Sequence, residues 1–106
     1  MNLLFLCSRN QWRSRTAETI FKNNGLHQVK SAGTSAAARV RVNASLLRWA
    51  DRILVMEDRH REIIEERFPD AVRGKEVEVL DIPDDYRYMN EELVAELRLV
   101  MEGIID

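Results

Sequence analysis

Residues 7–14 read Cys-Ser-Arg-Asn-Gln-Trp-Arg-Ser, and they follow directly on the apolar run Asn2–Leu6 (Asn-Leu-Leu-Phe-Leu). That run has the length and uniform apolarity of a strand covered on both faces. Beyond the polar stretch, the segment from Ser14 to about Asn24 carries Ala17, Ile20 and Phe21 at helical spacing, and Asn-Asn-Gly25 ends it. A doubly covered strand, a polar loop and a helix, in that order, call for a sheet sandwiched between helical layers.

The same alternation continues outward from this unit. Gln28–Ser31 reads as a second strand running into Ala-Gly-Thr-Ser, and a helix at Asn43–Ala50 takes Asn43 as its cap. Arg52–Met56 is another fully apolar strand, followed by a helix from about Glu57 to Phe68 that Pro69 stops. Glu76–Leu80 is the fourth strand. After the loop Asp-Ile-Pro-Asp-Asp-Tyr-Arg-Tyr-Met, a last helix runs from about Asn90 to Ile104, with Leu93, Leu97, Val100, Met101 and Ile104 as its core stripe. The expected architecture is a single domain over residues 1–106. It is an α/β three-layer sandwich with a four-stranded parallel sheet of flavodoxin-like type. Ligands of such sheets bind beyond the carboxyl ends of the strands. Two loops fall there with chemistry to offer: residues 7–14 after the first strand, and the Asp81–Tyr86 loop after the fourth.

Composition narrows the function classes. The chain has 106 residues, 45% apolar and 32% charged, as a globular domain does. No apolar run approaches the roughly 18 residues of a membrane span, so no membrane partner is expected. The opening apolar stretch is short and broken by Arg9, unlike an export signal, and a lone cysteine suits a reducing compartment; a cytoplasmic location is expected. Net charge is −2, unevenly spread: residues 1–50 hold eight Lys/Arg against one acid, residues 51–106 eight against seventeen. The arginines of the first half crowd two loops, Arg9, Arg13 and Arg15 in one, Arg39 and Arg41 in the other, which points to an anionic ligand. Net acidity and the lack of an aromatic-basic face argue against nucleic acid.

Cysteine attacks only as thiolate, a form favoured at helix amino-termini and beside guanidinium groups. Cys7 stands at the mouth of a loop that ends on a helix. The amides of Ser8, Arg9, Asn10, Gln11 and Trp12 can then converge on one anion, Arg13 offers a planar fork to two phosphate oxygens, and the Ser14 hydroxyl can donate to the sulfur. Asp81, Asp84 and Asp85 in the later loop are candidates for the acid that protonates a leaving group. His60, near Ile63 and Ile64, reads as a satisfied boundary histidine, His27 as a turn residue and Trp49 as core. Two histidines and one cysteine give no recognisable metal spacing, so no metal or cofactor is expected.

Cys-Ser-Arg-Asn-Gln-Trp-Arg-Ser resembles the C-x5-R-S phosphate loop of the low-molecular-weight protein tyrosine phosphatases, which place it at the end of the first strand. The likeness continues through Ala17–Phe21, Ser31–Ser35, Arg52–Asp58 and Leu80–Tyr86. It implies the phosphotyrosine phosphatase I fold and hydrolysis of phosphotyrosine through a cysteinyl-phosphate. Cys7 would be the nucleophile, Arg13 the phosphate clamp and Asp84 the general acid and base, by register with the family's acid loop. Asn10 and Ser31 would shape the loop, and Tyr86 would line the pocket. Phosphate or vanadate would inhibit, without metal.

Several positions depart from that family. Relatives are about half as long again, and only Ala36–Asp51 separates Ser31–Ser35 from the third strand. The missing piece normally builds a pocket wall and supplies a histidine to the loop network; Arg39, Val40 and Arg41 either take its place or leave the cleft open. Asp85 stands where relatives have proline. Trp12 replaces a frequent second cysteine, which rules out a protective disulfide, and either stacks on an aromatic substrate or packs the rim. Arg9 replaces a small residue and suits acidic flanking groups or a second phosphate. Alternative readings are a phosphatase of a small phosphorylated metabolite and a non-catalytic phosphate-binding adaptor. Arsenate reduction lacks the further cysteines it needs, and a phosphocarrier has no need of Arg13.

Overall fold

The computed structural model describes residues 1–22 and 25–104. Its centre is a parallel sheet of β1 (Asn2–Cys7), β2 (Gln28–Gly33), β3 (Arg52–Val55) and β4 (Glu76–Val79), in the order β2-β1-β3-β4. Successive side chains of a strand point to opposite faces, so the apolar β1 feeds two cores. Leu3, Phe5 and Cys7 join Leu54 and Met56 under α1 (Arg13–Phe21) and α5 (Glu91–Met101). Leu4 and Leu6 join Ile53 and Val55 under α2 (Ala44–Trp49), α3 (Asp58–Arg67) and α4 (Pro69–Val72). Leu3 to Leu6 are all fully buried. The four-stranded parallel sandwich expected from the sequence is the fold observed.

Element ends follow local chemistry. Asn43 caps α2 by accepting from the Leu46 amide, and Asn90 caps α5 through the Glu92 and Leu93 amides. Pro69 stops α3 as expected but also opens α4 from its first-turn position, a short helix the apolar pattern did not announce. α1 ends at Phe21, with Gly25 in the left-handed region at φ 77°; the expected extension to Asn24 falls on residues outside those described. α5 ends at Met101, and the Ile104 amide turns back to the Met101 carbonyl.

The connection from β1 leads to β2 on one side, whereas the chain after β2 returns past β1 to β3 on the other. The carboxyl end of β1 is therefore the switch point, where loops part and leave a crevice. The loop Ser8–Trp12 occupies it. The loops after β3 and β4 open on the same end of the sheet.

Candidate active site

Cys7 ends β1 and is buried, facing the loop that follows it. That loop is shaped from outside. The carbonyls of Cys7, Ser8 and Arg9 accept from the amides of Thr34, Ser35 and Arg39 at 2.8–3.0 Å, and the Asn10 carbonyl accepts from Arg39 Nε at 3.1 Å. A trans peptide points its N–H opposite to its carbonyl. Tying these carbonyls outward turns the following amides inward, over the cleft. Gly33 makes the wrap feasible: a Cβ there would stand 2.5 Å from the Ser8 carbonyl oxygen and 2.6 Å from Ala38 Cβ. The shortened segment after Ser35 thus braces the loop. Arg39, Val40 and Arg41 do not line the cleft, which corrects one of the two expectations for them.

Inside the loop a hydrogen-bond chain reaches the sulfur. The Ser31 hydroxyl donates to Glu18 Oε1 and so is left to accept from Asn10 Nδ2 at 2.8 Å. The same Asn10 amide donates to Ser14 Oγ at 2.8 Å. Ser14 Oγ lies 3.0 Å from Cys7 Sγ, a pair in which either atom can donate, and 3.3 Å from the Ala32 carbonyl; once the sulfur is a thiolate only the hydroxyl can donate between them. Asn10 holds φ at 55°, a conformation asparagine tolerates better than most residues. Asn10 and Ser31 are both buried and joined by this chain to Ser14. No side chain caps α1 and its first turn holds no acid, so the helix's free amides remain available to an anion.

Arg13, in the first turn of α1, is 2% exposed despite its charge. Its NH1 donates to Glu57 Oε2 at 2.5 Å and to the Ile82 carbonyl at 2.8 Å, and Nε lies 3.6 Å from Asp84 Oδ1. A fixed NH1 leaves the rest of the planar fork aimed by its neighbours. Burial acts to raise the Glu57 carboxyl, but hydrogen bonds from Arg59 and Arg13, with their charges, bring it below the usual range. Of the three candidate acids, Asp84 alone lines the cleft; Asp81, at φ 56°, and Asp85 lie outside it, both exposed.

The cleft, about 300 Å³, is lined by Cys7, Ser8, Arg9, Gln11, Trp12, Arg13, Arg59 and Asp84. Tyr86, expected on its wall, is not there. Its hydroxyl donates to Glu96 on α5 at 2.9 Å and its ring packs on the α1–α5 core, because the chain after Asp85 turns away towards α5. Among the described residues the aromatic lining of the cleft is Trp12, with the Arg87 guanidinium 5.6 Å over its ring.

Glu57 enters the site from the loop after β3, Arg59 and His60 from the first turn of α3 that follows, and Glu18 from α1; sequence reasoning gave none of them a role there. The rule that ligands gather beyond strand ends applies to β3 as to β1 and β4, so the signal existed for Glu57, Arg59 and His60. His60 is fully buried and neutral: burial, then the charges of Arg13 and Arg59, pull its pKa down to about 4. Its Nδ1 accepts from the Glu57 amide at 3.1 Å, which assigns the ring proton to Nε2, 2.9 Å from Ser8 Oγ. A histidine thus supports the loop, supplied by the first turn of α3. Among the described residues, no three His, Cys, Asp or Glu side chains cluster to hold a metal ion, and no helix is long and apolar enough to cross a membrane.

No family model matches the chain, and no curated protein does. Solved structures do. YwlE arginine phosphatase from Geobacillus stearothermophilus is 26% identical with a TM-score of 0.74, over 99% of this chain and 88% of its own. The tyrosine phosphatase Wzb from Escherichia coli K30, in complex with phosphate, is 26% identical with a TM-score of 0.71, over 96% and 91%. SP-PTP, a low-molecular-weight protein tyrosine phosphatase from Streptococcus pyogenes, shares the fold at 14% identity and a TM-score of 0.78, over 99% and 93%. The chain resembles the low-molecular-weight protein tyrosine phosphatases in fold, and its neighbours are phosphatases.

Proposed function

We propose that this chain hydrolyses phosphotyrosine through a cysteinyl-phosphate, with Cys7 as nucleophile, Arg13 as phosphate clamp and Asp84 as general acid and base. The observation that carries the reading is the single cleft holding Cys7, Arg13 and Asp84, with the Ser14 hydroxyl 3.0 Å from the sulfur. The thiolate attacks phosphorus, forming an S–P bond as the bond to the phenolic oxygen breaks and Asp84 gives that oxygen a proton. Arg13, the Ser8 hydroxyl and the inward amides hold the equatorial oxygens as charge develops on them. Asp84, now a carboxylate, takes a proton from water; the water attacks phosphorus, and the S–P bond breaks to release phosphate. Ser14 steadies the departing sulfur.

Turnover of a series of aryl phosphates tests the scheme. Cys7→Ser is expected to abolish turnover while phosphate or vanadate still binds, and full activity in that variant overturns it. Asp84→Ala should lower kcat by roughly 10²- to 10⁴-fold for poor leaving groups and much less for good ones. An equal loss across the series would remove Asp84 from the acid role.

Phosphoarginine is the second reading, favoured by the likeness to an arginine phosphatase. Charge at the mouth argues against it. Arg9 and Arg59 line the cleft while the acids near it are committed, Glu57 to two arginines and Asp84 beside Arg13. A guanidinium-bearing substrate would meet like charge, whereas a neutral phenol ring has Trp12 to lie against.

A further inference from the structure

The mouth of the cleft is more basic than phosphate binding requires. Arg13, inside, is paired with Glu57 and is the clamp proposed for the monoester. Two further arginines reach the same cleft from different elements, Arg9 from the phosphate loop and Arg59 from the first turn of α3. Among the described residues the exposed Arg9 guanidinium makes no hydrogen bond or ion pair. Arg59 spends one NH2 contact, at 3.0 Å, on a Glu57 oxygen that Arg13 also uses, and its side chain stays 54% exposed. Arg87 adds positive charge beside Trp12. This concentration sits on a chain whose net charge is −2, so it is local rather than a consequence of composition.

Resting on the phosphatase reading above, we propose that Arg9 and Arg59 form a second anion subsite that selects phosphotyrosine flanked by acidic residues. Guanidinium groups at a half-exposed rim attract carboxylates without the desolvation a buried pair demands. Their contribution is therefore modest per group, salt-sensitive, and felt as preference among peptides.

The test compares three phosphotyrosine peptides, flanked by glutamates, by glutamines, or by a second phosphorylated residue, against an unflanked aryl phosphate. The expected result is a kcat/KM about three- to tenfold higher for the glutamate peptide than for the glutamine peptide at low salt, shrinking towards one at high salt. Arg9→Ala and Arg59→Ala should each reduce that ratio, and the double variant should bring it close to one, whatever happens to the aryl phosphate rate. A preference for the doubly phosphorylated peptide alone would overturn the acidic-residue assignment. A wild-type ratio near one, or a ratio unmoved in the double variant, overturns the subsite. The same ratio is read as relative Kd with the Cys7→Ser form by fluorescence anisotropy. Absence of aryl phosphate turnover in the wild type counts against the phosphatase reading, while the binding ratio still decides the subsite.

Discussion

His60 contributes two hydrogen bonds and no charge, and that neutrality has a measurable consequence. An unfolded chain holds histidine near its ordinary value of 6.5, whereas the folded protein keeps His60 down at about 4. Between those values the unfolded state binds the extra proton, so stability rises with pH across the window and is lost as pH falls through it. The gap corresponds to roughly 3 kcal/mol at full extent. Urea denaturation of the wild type and of His60→Asn, followed from pH 6.5 to 4, should show the wild type losing more stability by about that amount. Parallel pH profiles in the two proteins would mean that the imidazole is not held neutral by the fold. Cys7, Arg13 and Ser14 were legible at this scale because one loop carries them at fixed offsets. Glu18 and Glu57 were not. A carboxylate that accepts from a distant serine or arginine leaves no local periodicity, since its partner lies 13 or 44 positions away.

The elements were largely readable, because burial on both faces forces β1 and β3 into uniform apolar runs and the helices into stripes. What could not be read was how the loops lie against each other. Arg39, Val40 and Arg41, one option for a pocket wall, belong instead to a brace lying behind the loop Ser8–Trp12. Likewise Tyr86 follows Asp84 closely in sequence yet turns to Glu96, because its ring finds the core between α1 and α5 rather than the cleft. The brace makes a specific demand at Gly33. In Gly33→Ala the new methyl group overlaps the Ser8 carbonyl and Ala38, neither of which is a flexible side-chain end. The variant should lose about 1–3 kcal/mol of stability, the usual range for overpacking, and should bind phosphate more weakly because the Ser8 peptide is displaced. Thermal melts with and without phosphate check both parts. Unchanged melting and unchanged phosphate affinity would show that the brace does not set the loop's shape.

At the scale of the whole molecule, the loop Ser8–Trp12 joins parts that would otherwise meet only through the sheet. It continues β1, whose side chains enter both cores, and it opens α1; its Ser8 touches His60 at α3, and Arg13 reaches the Ile82 carbonyl beyond β4. An anion seated there would draw together the ends of β1, β3 and β4 and offset the mutual repulsion of Arg9, Arg13 and Arg59. Binding at such a junction cannot survive unfolding of either core, so the ligand's affinity is expressed in global stability. A ligand that binds only the folded state at about 100 times its Kd adds about 2.7 kcal/mol. For a domain of this size, that raises the melting temperature by roughly 10–20 °C. Inorganic phosphate should produce this shift over sodium chloride of matched ionic strength, and Cys7→Ser should retain most of it because the donors to the anion are the loop amides and Arg13, not the sulfur. Arg13→Met should abolish the shift, even after correction for its own lower starting stability. A melting temperature that responds to phosphate no more than to chloride would mean that the inward amides and the buried guanidinium do not share one anion.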